Sequence, residues 1–129
     1  MMKTTVACVV LFVFCLGALV AADFSAGTGV ITLQANRTGA NQPDTWTNPS
    51  GQTKLVARSI LFIPKTASKI TTLRDGSATG QILAQFNSGA TTATQSISVS
   101  FVVPRTLYLA SDDATTDGPS LIVYTQGVR

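Results

Sequence analysis

The stretch SISVSFVV, Ser96 to Val103, alternates small hydroxyl side chains with apolar ones. A period of two sends Ile97, Val99, Phe101 and Val103 to one side of an extended chain and Ser96, Ser98 and Ser100 to the other. This is a strand with one face on a core and the other in water. It commits the rest of the chain, because an apolar strand face has to be covered by another layer.

The remaining sequence supplies the other strands. Less clean runs of the same kind fall at 29–35, 55–63, 69–74, 81–86, 106–110 and 121–125, separated by segments rich in Gly, Pro, Asn, Asp and Ser. Pro64 and Pro104 stand where strands close. Seventeen of the 107 residues after position 22 are Thr, and β-branched side chains suit a pleated surface. No 3.6-residue periodicity is long enough for a helix. About seven short strands predict an all-β chain folded as a single antiparallel β-sandwich, jelly-roll-like or Ig-like. Immunoglobulin proper is disfavoured, since its paired cysteines and the core Trp between them are missing. Ile97, Val99, Phe101 and Val103 are expected to be buried together. The charge-free strand at 96–103 is expected at the centre of its sheet, or else against a neighbouring subunit. Arg58, Lys69 and Arg74 would guard the sheet edges.

The first residues read differently. Lys3 precedes an apolar run at 6–20, and Val20 and Ala22 place small residues before Asp23. That order predicts a secretory signal peptide over 1–22 and a β-sandwich domain over 23–129. The competing reading is an uncleaved anchor, but the run of 15 residues falls short of the ~20 a spanning helix needs. Export to the extracellular space, cell surface or virion follows, with no stable membrane span after cleavage.

Chemistry is limited by what is missing. Residues 23–129 contain no Cys, His or Glu. Ser-His-Asp, Cys-His and paired-Glu sites cannot be assembled, and zinc would lack nitrogen and sulfur ligands. Asp112 and Asp113 are adjacent and would point apart on a strand. The chain reads as no enzyme. Eight Lys/Arg against six Asp over 23–129, scattered along the chain, form no basic stripe for nucleic acid.

Four local features remain. TLRDGSATGQIL has glycines at 76 and 80 but lacks the P-loop lysine, and QILAQF alternates like a strand, so Asp75-Gly76 predicts a hairpin turn. In SDDATTDGPS, Asp113, Thr115 and Asp117 followed by Gly118 match the first half of a calcium loop. The acid expected at its twelfth position is replaced by Tyr124, and the competing reading is a solvated loop between the last two strands. Trp46, the sole tryptophan, sits in the polar run TGANQPDTWTNPSGQT, where it either stacks on a ligand such as a sugar or caps one end of the sandwich. Asn36-Arg37-Thr38 is an N-glycosylation sequon, whereas Asn48-Pro49-Ser50 is excluded by its proline.

From about residue 55 to 125, the strand leading into RDGSATGQIL, the alternating SISVSFVV, the short TLYLAS and the closing LIVYT together resemble small β-sandwich proteins of phage virion surfaces, of the decoration type. That resemblance implies a non-catalytic structural or display module that presents loops and packs against copies of itself or other structural proteins. The alternative function is a secreted binding domain that recognises a glycan or surface polymer through its loops. No cofactor is implied beyond the calcium already weighed.

Overall fold

The computed structural model describes residues 28–49 and 54–128. The expected signal peptide lies outside the described residues. Eight strands follow one another: β1 (Thr28–Gln34), β2 (Asp44–Thr47), β3 (Lys54–Ile63), β4 (Ile70–Asp75), β5 (Ile82–Asn87), β6 (Gln95–Val102), β7 (Thr106–Ser111) and β8 (Ser120–Val128). They form two four-stranded sheets, β1-β8-β3-β6 and β2-β7-β4-β5, in which all pairings are antiparallel. First pairs with last, second with seventh, third with sixth and fourth with fifth. The chain is thus one long antiparallel ribbon rolled on itself, with β3–β8 and β4–β7 joining its turns. This is a jelly roll.

The strand absent from the sequence reading is β2. Its four residues, DTWT, contain one apolar side chain between polar turn formers, so no period shows locally. Pairing with β7 is what makes it a strand.

The core is a sandwich filling drawn from both sheets. Ile31, Leu33, Leu55, Ala57, Ile60, Phe62, Leu121 and Val123 come from one, and Leu73, Phe86, Leu107 and Leu109 from the other. Phe62 and Phe86 stack across the layers, with ring centroids 4.8 Å apart and planes at 23°. Offset stacking of this kind adds to the area both rings bury.

The sheet order bears on two expectations about strand placement. β6 is an edge strand, which removes the central placement and leaves the one against a neighbouring subunit. Ile97, Val99 and Phe101 do face inward, but Val99 and Phe101 are only half-buried and Ile97 is 36% exposed; Val103, just past the end of the strand, is buried, and Val102 faces outward. A strand at the margin has a neighbour on one side only, so its inner side chains are half covered. Conversely, Arg58 and Arg74 lie on interior strands, β3 and β4, and Lys69 directly precedes β4, so these three guard no edge.

Arg58 marks a distortion instead. Thr125 to Val123 is two residue steps in β8, while the facing Ala57 to Ile60 takes three in β3 and Phe101 to Ile97 four in β6. The ladder gains one residue at each strand outward. Such bulges bend the sheet and strengthen its twist.

Candidate functional site

The glycines at 76 and 80 serve the backbone. The segment 75–81 turns β4 into β5, with Asp75 N donating to the Gln81 carbonyl (2.9 Å) and Gly80 N to that of Ser77 (3.0 Å). Gly76 has φ +78°, and a Cβ on Gly80 would lie 1.6 Å from the Asp75 carbonyl oxygen. This is a hairpin turn with no helix behind it.

The loop between β7 and β8 is exposed at Asp112 and from Ala114 to Asp117, but it is anchored at points inside. Asp113 is buried, and so are Gly118 and Pro119. Asp113 Oδ1 accepts from Thr115 N (3.0 Å), and Thr115 Oγ1 meets Thr66 Oγ1 at 3.2 Å. Asp113 Oδ2 is buried with no hydrogen-bond partner. Burial pushes the Asp113 carboxyl up, but the hydrogen bond from Thr115, with the polar groups of Thr66 close by, outweighs it and holds the carboxyl below its usual value. Asp117 is exposed, in a left-handed conformation with φ 53°. Among the described residues no three His, Cys, Asp or Glu side chains gather as a metal site.

The residue that organises this loop is Asn36. It is 1% exposed, which is where the sequon argument ends: its amide is in use. Nδ2 donates to the carbonyls of Asp113 and of Thr115 (3.1 Å), while Oδ1 accepts from Gln42 N (2.8 Å). Its own carbonyl accepts from Asp117 N (3.0 Å). Its φ of 58° is a conformation that Asn tolerates better than most residues. One side chain therefore ties the β1–β2 connection to the β7–β8 loop. The sequence shows Asn36 only as the first residue of a sequon that follows a strand; the contact spans 77 residues.

Trp46 lies on β2 opposite Leu107, not in a loop. Its ring is half-buried and packs against the core. It closes the margin of the sandwich where β2 forms the edge.

The outward face of the second sheet carries a trough of about 360 Å³, lined by residues of β4 and β7, including Ile70, Thr72, Arg74, Tyr108 and Ala110. Registration sets their order. Arg74 faces Tyr108 across the ladder and Thr72 faces Ala110, and Ile70 N donates to Asp112 Oδ1 (2.8 Å). Small residues occupy the middle, which makes the depression. Arg74, held by a bond from Nη1 to the Gly80 carbonyl (2.8 Å), and Asp112 stand at opposite ends, about 13 Å apart along the strands.

The outward face of the first sheet has a different chemistry. One row across it reads Val30, Tyr124, Ser59, Ser98, and the next Thr32, Ile122, Leu61, Ser96. Val30 is 58% exposed, Val102 50% and Tyr124 41%, with Ile63 and Val128 also exposed. The face carries no carboxylate. Its cations are Lys54 and Arg58, the latter donating to Gln126 Oε1 (3.1 Å).

No family model and no curated protein matches the chain. Solved structures give loose likenesses. A subunit of the Bacillus endospore appendages, described as disulfide-linked pili, is 17% identical over 79% of this chain and 86% of that one, with a TM-score of 0.39. The Drosophila NLP core, described in terms of pentamer formation and histone binding, is 15% identical over 80% and 99%, at 0.45. A β-1,3-glucan-binding CBM6 from Bacillus halodurans is 14% identical over 84% and 92%, at 0.40. No helix among the described residues is long and apolar enough to cross a membrane.

Proposed function

We propose that this protein is a non-catalytic structural or display module of an extracellular or virion-surface assembly, and that it works by packing its β1-β8-β3-β6 sheet against copies of itself. The observation that carries the reading is the outward face of that sheet. Apolar side chains and hydroxyls alternate across it in register, with no acidic residue, and large apolar side chains exposed together on one sheet face favour an interaction site. The test is light scattering over a range of concentrations. The expected result is a regular oligomer that Tyr124→Lys and Ser98→Lys, both on this face, dissociate without unfolding. A monomer at every concentration would sink the proposal.

A second reading is favoured by the trough on the opposite sheet. An aromatic ring beside hydroxyls, with a cation and a carboxylate at the ends, suits a neutral saccharide lying along β4 and β7. Trp46, packed on the core, is not part of it. Affinity electrophoresis in gels containing neutral polysaccharides tests this reading. Retardation that Tyr108→Ala removes would support it, and unretarded migration in all gels would end it.

A further inference from the structure

Each sheet of a sandwich leaves two edge strands whose backbone groups lack a partner, and proteins ordinarily blunt them with charge, shortness, proline or bulges. Three of the four edges here are blunted in one of those ways. β2 has four residues and carries Asp44, paired to Arg37 at 2.9 Å. β5 is bulged between its pairs with Leu73 and Arg74. β6 is bulged opposite Ala57 and Ser59. β1 is the exception: seven residues, TGVITLQ, with no charge, no proline and an unbroken register along β8.

The open side of β1 can be assigned atom by atom. Ala35 N donates to the Pro119 carbonyl (3.0 Å), on the side of β8. Gln34 N donates the other way, to Asp44 Oδ2 (2.8 Å). The side reverses with each residue of a strand, so the N–H and C=O of Thr28, Val30 and Thr32 point off the sheet. Asp44 ends this free ladder at Gln34.

We infer that β1 pairs with the β1 of a second copy, antiparallel, about a two-fold axis at Val30. In that register Val30 faces the partner's Val30, and Thr28 and Thr32 face the partner's Thr32 and Thr28. All three outward-pointing residues then meet outward-pointing residues, and their N–H and C=O groups are satisfied reciprocally. A shift by one residue would set them against groups already bonded to β8. Side chains agree as well. On the inner face Gly29 lies opposite the partner's Ile31 and offers no side chain to clash. On the outer face Val30, the most exposed large apolar residue, is covered by its own copy. Charge gives no opposition, because β1 has none.

This pairing rests on the structural-module reading and extends it. It joins two four-stranded sheets into one of eight strands and makes their apolar outer faces continuous. Three residues a side bury less than the ~1,200 Å² at which specific interfaces begin, so the contact by itself is weak and concentration-dependent.

The experiment uses the full chain with Cys8 and Cys15 replaced by Ser. A cysteine at position 30 sits across the axis from its copy at a Cα separation of about 5.5 Å, within disulfide range, whereas position 32 lies about 13 Å from its copy. Val30→Cys is expected to form a reducible dimer on oxidation, and Thr32→Cys alone is not. An oxidised mixture of Thr28→Cys and Thr32→Cys is expected to cross-link. Val30→Pro removes an N–H that the single copy does not use, so it should keep its melting transition while weakening association about tenfold or more. If light scattering shows an oligomer that Val30→Pro leaves intact and Val30→Cys does not cross-link, this edge is not the contact, although the structural-module reading stands. A monomer with no cross-link at any position overturns both.

Discussion

Asn36 ties together two segments far apart in the chain. Its amide serves three backbone groups from two segments, and the side chain is 1% exposed. Asn36→Ala is expected to cost about 3 kcal/mol in a denaturant titration, because buried donors and acceptors are left unpaired. Protein folded in a host that glycosylates should carry no glycan at Asn36, read by intact mass. Asp113 makes a pH-dependent contribution whose sign follows from its lowered pKa. Its stabilisation is fully present above its unfolded value of about 4 and is lost as pH falls through the folded value. Below about pH 4 the melting temperature should therefore drop more steeply in the wild type than in Asp113→Asn. Calcium followed by a chelator should leave the transition unmoved, since Thr115 N already occupies Oδ1 and Asp117 is out in solvent. A shift of several degrees would instead make Asp113, Thr115 and Asp117 ligands. The spacing of these residues was visible in the sequence; the burial of Asp113 was not, because it depends on Asn36, far away in the chain.

Among the elements, legibility follows how far each strand's environment is set by its own residues. Seven strands announce themselves through alternation and turn formers, and the hairpin at Asp75-Gly76 through local conformational demand. β2 does not, since four residues with one apolar side chain have no period. Which strand is central is likewise not written in any strand; it is fixed by the pairing of first with last, a property of the whole ribbon. That is why SISVSFVV shows its inner face correctly and its depth wrongly. The consequence is measurable. Phe62→Ala, which deletes a ring that is 1% exposed and stacked on Phe86, should cost about 3–5 kcal/mol. Phe101→Ala, at the half-covered margin, should cost under about 2 kcal/mol. Equal losses would show that β6 is as deeply packed as β3.

At the scale of the molecule, the two sheets hide similar cores and present unlike exteriors. The β2-β7-β4-β5 sheet faces outward with Tyr108, Arg74, Thr72 and Asp112 around a trough. The β1-β8-β3-β6 sheet faces outward with Val30, Tyr124, Ile122, Leu61 and Val102, hydroxyls between them and no carboxylate. Association through the second of these faces would gain from removing apolar surface from water and little from ion pairing, because Lys54 and Arg58 find no acid on a matching face. Salt separates the two contributions. Raising sodium chloride to about 1 M, where charges are screened beyond ~3 Å, should leave self-association unchanged or slightly stronger as the repulsion between those cations fades. Sulfate, excluded from protein surface, should strengthen it further. Contacts made by Arg37, Asp44, Arg74 or Asp112 would behave in the opposite way and weaken as sodium chloride rises. An oligomer that dissociates in high salt would therefore place the contact on the charged loops and the trough side of the sandwich, away from the Val30–Tyr124 face.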